Sequence, residues 1–185
     1  MPRLDDIRVA IIATDGFEEP ELIEPRKALE EAGASVDVLS DHSGEIQALR
    51  HMEKGGKVPV DRTLDQAMIE DYDAVMLPGG AMNADKARMD PNVREFLRSF
   101  MRAGKPIAAI CHAPWELASA GVAHGRRLTS YYTIQDDMRN AGADWVDQEV
   151  VVNDNLVTSR QPSDIPAFNR EMIALFARVP AGARR

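Results

Sequence analysis

The residue with the clearest potential for covalent chemistry is the single cysteine of the chain, Cys111. It follows an apolar run at residues 106–110 and precedes a segment of helical composition. A strand that turns directly into a helix is typical of a nucleophile elbow, and its small neighbours are here Ala109 and Ala113. The start of the next helix lowers a thiol pKa. The pattern therefore predicts a reactive thiolate, with a buried structural cysteine as the alternative.

Two further side chains are candidates to assist the thiol. His112 comes directly after Cys111, but consecutive helical residues do not face each other. The imidazole therefore reaches the sulfur only if it turns back, and otherwise it is a surface histidine at a helix start. Glu18 follows the first apolar run, and a buried protonated carboxyl there can donate a hydrogen bond to a thiolate. An acidic residue at a helix N-terminus also has a purely structural explanation, and the sequence does not distinguish Glu18 from Glu19.

The turn Pro78-Gly79-Gly80 ends another apolar run, at residues 74–77. It is either a tight turn only or the source of a backbone N–H that forms an oxyanion hole with the N–H of His112. Glycine suits the second role because it has no Cβ to prevent close approach. The chain has no glycine-rich phosphate loop, and its histidines and lone cysteine lack metal-ligand spacing. We therefore expect no cofactor and no metal.

Apolar runs alternate with amphipathic segments along the chain. The apolar runs at residues 8–13, 74–77 and 106–110 predict buried strands, and residues 35–39 predict a further strand. The segments at 19–32, 92–101, 113–120, 133–141 and 163–177 predict helices. Ser163 is the predicted N-cap of the last helix. Residues 41–61 predict a hairpin or an excursion from the sheet edge, and residues 149–158 a second hairpin. The alternation predicts an α/β fold with a mostly parallel sheet, helices on both faces and chemistry at the carboxyl ends of the strands.

Size and charge narrow the possible functions. The 185 residues predict one domain over residues 1–180, with a frayed tail at 181–185. A net charge of −8 opposes binding to nucleic acids or to anionic membranes. The N-terminus has no signal-like apolar region, and no apolar run approaches the roughly 18 residues of a membrane span. We therefore expect a cytoplasmic protein.

Several ordered motifs together resemble the ThiJ/PfpI superfamily, in particular its branch of PfpI-like intracellular proteases and general stress proteins. The principal ones are GFEEPEL at residues 16–22, LPGG at 77–80 and AICHAP at 109–114. The resemblance extends over nearly the whole chain. It implies a flavodoxin-like three-layer sandwich related to class I glutamine amidotransferase domains.

The same resemblance implies roles for individual residues. Cys111 becomes the nucleophile, Glu18 the carboxyl that hydrogen-bonds it, and His112 the adjacent base. The amide of Gly80, which follows Gly79, becomes an oxyanion donor together with the amide of His112. In PfpI-like proteins an acidic residue downstream of the Gly-Gly turn completes the site across a subunit interface. The nearest one here is Asp85, displaced by about one position and one methylene shorter than Glu.

The resemblance leaves three functions open. The first is a cysteine hydrolase of the stress response that acts on glyoxal or methylglyoxal adducts of proteins, or on the free aldehydes. The second is an ATP-independent intracellular peptidase that works as a ring-shaped oligomer. The third is a non-enzymatic redox-sensing or chaperone-like stress protein, in which Cys111 is oxidised. We expect a homo-oligomer, either a dimer or a hexamer.

Overall fold

The computed structural model describes residues 2–180, which form twelve strands and six helices. The strands are β1 (Arg8–Ile12), β2 (Phe17–Glu18), β3 (Ser35–Ser40), β4 (Glu45–Arg50), β5 (Glu53–Pro59), β6 (Arg62–Thr63), β7 (Ala74–Leu77), β8 (Ile107–Ile110), β9 (Arg127–Leu128), β10 (Asp144–Trp145), β11 (Val150–Asn153) and β12 (Leu156–Ser159). The helices are α1 (Glu19–Glu31), α2 (Ala81–Ala87), α3 (Pro91–Arg102), α4 (Pro114–Ala120), α5 (Gln135–Asn140) and α6 (Ile165–Phe176).

Seven strands form the central sheet, in the order β11-β12-β8-β7-β1-β3-β6. All neighbours pair in parallel except β11, which forms an antiparallel hairpin with β12. The four residues of β7 and the four of β8 are all buried, as expected for strands covered on both faces. The predicted mostly parallel sheet is therefore confirmed. The carboxyl ends of β1, β7 and β8 lie side by side at one edge.

Helices cover both faces of this sheet. Leu22 and Leu29 of α1 and Phe168 of α6 belong to the apolar core on one face. Phe96 of α3 and Leu117 of α4 belong to the core on the other. Three layers result, as predicted, and residues 2–180 contain no helix long and apolar enough to cross a membrane.

Residues 41–61 form the predicted hairpin, which lies outside the central sheet. Strands β4 and β5 pair antiparallel, and β4 also pairs in parallel with β2, opposite Phe17 and Glu18. The hairpin turn contains His51, whose φ of 57° is unusual for a residue with a side chain. Met52 follows it and is 92% exposed. This small sheet brings the hairpin turn next to the start of α1.

The structure differs from the sequence-based expectations at three helices. Helix α2, directly after the Gly-Gly turn, was not predicted, because seven residues give no amphipathic period. Helix α5 is preceded by a 3₁₀ turn at Tyr132–Ile134. The assignment of Ser163 as an N-cap is wrong: Pro162–Asp164 form a 3₁₀ turn, and Asp164 stands at the N-cap of α6. The predicted frayed tail, 181–185, lies outside the described residues.

Candidate active site

Cys111 occupies the turn between β8 and α4 with a φ of 64°. This left-handed conformation costs about 1–2 kcal/mol for a residue with a side chain, so neighbouring groups must hold it. The Cys111 N–H donates to the Ser159 carbonyl at 3.1 Å, and the Cys111 carbonyl accepts from the Tyr131 N–H at 2.8 Å. The side chain is 6% exposed. The predicted elbow is therefore present, and two backbone hydrogen bonds fix it.

The Gly79-Gly80 turn lies against the elbow. A Cβ on Gly79 would stand 2.6 Å from the Cys111 Cβ and 2.9 Å from the Ile110 carbonyl oxygen, so only glycine permits this approach. The backbone N–H groups of Gly80 and His112 both face the sulfur of Cys111. Two donors thus converge where negative charge would develop during attack by the thiol.

The buried side chain of Asn83, on α2, holds that turn in place. Its Nδ2 donates to the carbonyl oxygens of Pro78 at 3.0 Å and Gly79 at 3.1 Å. Its Oδ1 accepts from the backbone N–H of Thr14 at 2.7 Å. Asn83 therefore connects the end of β7 to the segment that follows β1. It is a positioning residue that the sequence reasoning missed.

The imidazole of His112 turns back toward the thiol. Its Nδ1 lies 3.2 Å from the Cys111 Sγ, and its Nε2 lies 3.5 Å from the Thr133 Oγ1. The ring stacks on Tyr131 with centroids 4.9 Å apart and meets Trp115 edge-on at 5.3 Å. Burial lowers the pKa of His112, so the ring is neutral at pH 7 and can accept a proton.

The carboxyl group that faces the thiol belongs to Glu21, in the first turn of α1. Glu21 is 0% exposed, and its carboxyl faces Cys111 and the Gly79 N–H. Neither oxygen makes a hydrogen bond of ordinary geometry to the described residues. Burial raises the pKa of Glu21 to about 8, and the charge of Glu18 adds to the rise. Glu21 is therefore mostly protonated at pH 7.

The thiol responds to the same burial. Desolvation raises the pKa of Cys111 well above its ordinary value, and a negative charge on Glu21 raises it further. The N–H groups of Gly80 and His112 act in the opposite direction but are outweighed. The expectation of a lowered thiol pKa is therefore wrong, because desolvation of the sulfur exceeds the effect of the helix start. The resting form is a neutral thiol beside a neutral imidazole.

A cavity of about 510 Å³ opens above the sulfur. Its walls are formed by Glu18, Glu21, His51, Met52, Gly80, Ala81, Cys111, His112, Tyr131, Gln161, Pro162 and Ser163. The hairpin turn forms one side, and the segment after β12 forms the other. The thiol is therefore buried within the protein but accessible to a small molecule or a side chain.

Comparison with known proteins identifies the family of the chain. The family model that matches is that of the DJ-1/PfpI family, over residues 7–175. The chain belongs to the DJ-1/PfpI family. General stress protein 18 of Bacillus subtilis (strain 168) is 44% identical over 169 residues, which are 91% of this chain and 96% of that protein.

Two further relatives carry names that refer to a reaction. The putative cysteine protease YraA of B. subtilis is 40% identical over 168 residues, covering 91% of this DJ-1/PfpI chain and 97% of that protein. Deglycase PfpI of Pyrococcus furiosus is 41% identical over 169 residues, covering 91% and 99%. Among solved structures, Drosophila melanogaster DJ-1beta matches with a TM-score of 0.85 and 32% identity, covering 96% of this chain and 91% of that chain.

Within this DJ-1/PfpI protein, the assignment of Glu18 as the carboxyl beside the thiol is wrong. Glu18 accepts a hydrogen bond from the His51 N–H at 3.1 Å and lies in the cavity wall. Glu19 pairs with Arg50 at 2.7 Å instead. A signal for Glu21 was present, because α1 buries residues 21, 22, 25 and 29 on one stripe. An acidic residue on an apolar stripe is costly unless it has a role.

The other predicted residues of the DJ-1/PfpI site divide into two groups. Cys111, His112, Gly79 and Gly80 meet around the sulfur. Asp85 is exposed on α2 and does not line the cavity. Within residues 2–180 no carboxylate hydrogen-bonds the imidazole of His112. A contribution of Asp85 from a second subunit stays a prediction.

Proposed function

We propose that this DJ-1/PfpI protein is a cysteine hydrolase that acts on glyoxal or methylglyoxal adducts of amines and thiols, and on the free aldehydes. The observation that carries the proposal is the 3.2 Å contact between the Cys111 Sγ and the His112 Nδ1 at the base of the cavity. A nucleophile next to a general base is the arrangement used in covalent catalysis. The name of the relative PfpI as a deglycase supports the choice of substrate.

The neutral resting state determines how the nucleophile is made. At pH 7 the thiol keeps its proton because burial raises its pKa. The imidazole is free to accept that proton because burial lowers the pKa of His112. Transfer from Sγ to Nδ1 therefore accompanies attack and does not precede it. General base catalysis of this kind contributes about 10²–10⁴-fold to a rate.

The first half of the reaction transfers the aldehyde-derived carbon from the substrate sulfur or nitrogen to the Cys111 Sγ. For a methylglyoxal hemithioacetal, R–S–CH(OH)–CO–CH₃, a bond forms between the Cys111 Sγ and the CH(OH) carbon, and the bond from that carbon to the substrate sulfur breaks. The thiol proton, carried by His112, passes to the leaving sulfur. An amine adduct reacts in the same way with nitrogen as the leaving atom. For a free aldehyde, Sγ adds to the carbonyl directly.

The second half converts the enzyme-bound adduct to product. The proton on the carbon bonded to Sγ moves to the neighbouring carbonyl oxygen, which gives an enediol. The hydroxyl on the carbon bonded to Sγ then loses its proton as the neighbouring carbon gains one, so that the first carbon is oxidised to a thioester carbonyl and the second is reduced to an alcohol. Glu21 and His112 are the groups beside the sulfur that can move these protons. Water then hydrolyses the thioester to lactate and regenerates the thiol. The N–H groups of Gly80 and His112 stabilise the oxyanion, and loss of one such donor costs about 10²–10³-fold.

The decisive experiment measures lactate formed from the methylglyoxal adduct of a small thiol. Lactate is the readout because an adduct also disappears whenever free aldehyde is withdrawn from the equilibrium. We expect lactate from the wild type and none above background from Cys111→Ser. The same assay with methylglyoxal alone measures action on the free aldehyde. Equal lactate from both proteins at high enzyme concentration would disprove the proposal.

The peptidase is a second candidate, supported by the name of the relative YraA. Exposure of Asp85 on α2, close in sequence to the Gly-Gly turn, leaves it available to a second subunit. This function predicts an oligomer in sedimentation and loss of fluorogenic peptide cleavage in Asp85→Ala. A monomer with full peptidase activity would rule out a shared site. The redox-sensing alternative needs rapid oxidation by peroxide, which a buried thiol of raised pKa disfavours.

A further inference from the structure

The wall of the cavity above Cys111 contains acidic side chains but no lysine or arginine. Of its twelve lining residues, none is lysine or arginine, and two are glutamates. The two arginines adjacent in sequence to lining residues are both engaged elsewhere. Arg50, next to His51, pairs with Glu19 at 2.7 Å. Arg160, next to Gln161, pairs with both Asp147 and Asp164 at 2.8 Å, so neither cation offsets charge within the cavity.

The two glutamates of the wall have different surroundings. Glu21 is fully buried and mostly protonated at pH 7, so it contributes little charge. Glu18 is half-buried, forms part of the solvent-accessible wall and, among residues 2–180, pairs with no cation. It accepts from one backbone N–H, that of His51. A carboxylate has about four acceptor positions, so Glu18 keeps capacity for a donor within the cavity.

We propose that Glu18 selects cationic over neutral and anionic substrates at this cavity. The inference rests on the proposed function for the reaction but not for the charge preference. A carboxylate in the cavity wall attracts a positive group that enters the cavity. Met52 and Tyr131 add apolar surface to the same wall for an aliphatic stem. Anionic compounds are disfavoured by the same charge.

The charge preference can be measured without any turnover. Methanethiosulfonates react with a cysteine to give a mixed disulfide and methanesulfinic acid, and they exist as matched cationic trimethylammonium-ethyl and anionic sulfonato-ethyl reagents. We expect the cationic reagent to label Cys111 faster, and Glu18→Gln to lower the ratio of the cationic to the anionic rate about tenfold. The ratio cancels any change in the thiol itself. Added salt should shrink the preference of the wild type.

Glu24→Gln is the matched control. Glu24 is exposed on the same helix and lines the neighbouring groove with Glu18, but it does not line the cavity. It removes one negative charge at a similar place in the chain, and we expect the labelling ratio to change by less than about twofold. Equal ratios in wild type and Glu18→Gln would overturn the inference. So would an equal fall of the ratio in Glu24→Gln, since the effect would then be the field of the whole protein.

A substrate series tests the same inference in catalysis. Methylglyoxal hemithioacetals of thiocholine, 2-mercaptoethanol and 3-mercaptopropionate share one reacting group and differ in charge. Because Glu18→Gln also removes a charge that acts on Glu21, the readout is a ratio of two substrates: we expect the variant to lower kcat/KM for the cationic adduct, relative to that for the neutral adduct, about fivefold. Charge-selective labelling without lactate from any adduct would refute the proposed function and leave the selectivity standing. If lactate forms but the relative kcat/KM values of the three adducts are the same in wild type and Glu18→Gln, the proposed function stands and the charge selectivity is refuted.

Discussion

Two buried carboxyl groups, Glu21 and Glu116, are alike in burial and in the direction of their pKa shifts but differ in their neighbours. Both are 0% exposed, both have raised pKa values because of burial, and neither has a hydrogen-bond partner of ordinary geometry among residues 2–180. Glu21 faces the thiol of Cys111 and the Gly-Gly turn. Glu116, on α4, has its pKa raised by desolvation alone. Burial keeps both carboxyl groups protonated, but only Glu21 lies next to a group, the Cys111 thiol, at which its proton can take part in catalysis.

The largest expected contrast is in activity. Glu21→Gln should lower kcat/KM for lactate formation by about 10²-fold or more, because a group that moves protons beside the reacting carbon is lost. Glu116→Gln makes the same change at an equally buried carboxyl that lies away from the thiol. We expect it to change kcat/KM for lactate formation by less than about threefold. Steady-state kinetics on the two variants measure the difference. Equal losses would mean that Glu21 acts through packing and not through its proton.

In stability the two glutamates should behave alike. Each keeps its proton in the folded protein above the pH at which an unfolded carboxyl has lost it, so the folded state binds more protons. The free energy of unfolding should therefore fall as pH rises from about 4.3, the ordinary glutamate pKa, by up to about 1.4 kcal/mol per pH unit for each group. For Glu21 this fall ends near its folded pKa of about 8.

Substitution by leucine tests this parallel. Glu116→Leu and Glu21→Leu should each raise the free energy of unfolding at pH 7 by about 2 kcal/mol, because a buried polar group without a partner is replaced by an apolar one of similar size. At pH 4.5 the gain should disappear, because the pH-dependent cost of each buried carboxyl is then lower by up to about 3 kcal/mol. Urea titrations at the two pH values provide the measurement. A gain that is the same at both would show that the carboxyls bear no shifted pKa.

A smaller contrast concerns the thiol itself. The pH dependence of iodoacetamide alkylation should give Cys111 a pKa above the ordinary value of about 8.5. Glu21→Gln should lower that pKa, since the carboxylate that forms at high pH no longer repels the thiolate. Glu116→Gln should leave it unchanged. A wild-type pKa below 7 would contradict the neutral resting state.

Most of the fold followed from the sequence because the central strands and the longer helices have local signatures. The runs at β7 and β8 are apolar throughout, β1 is apolar after Arg8, and Gly33 and Gly121 follow the helices that they end. The chemistry of the elbow was also predictable, since a cysteine between a strand and a helix is a local pattern.

The rest of the site depends on contacts between distant segments. Glu21 was missed because three acids stand close together at the start of α1, and only the spacing of Glu21 to the buried stripe of that helix separates it from the other two. Asn83 was missed because its partners, Thr14, Pro78 and Gly79, meet only in the folded protein. The return of the His112 ring toward the sulfur goes with its stacking on Tyr131, nineteen positions further along the chain.

The hairpin of β4 and β5 allows the cavity rim to change independently of the reacting groups. Its turn supplies His51 and Met52 to the cavity rim, yet both strands lie outside the central sheet that carries Cys111. Surface loops tolerate changes of length and sequence far better than buried strands. Insertions, deletions or grafts at residues 50–53 can therefore change which molecules enter the cavity while the positions of the reacting groups stay the same. The hairpin is the natural place to begin when the substrate range of this scaffold is redesigned.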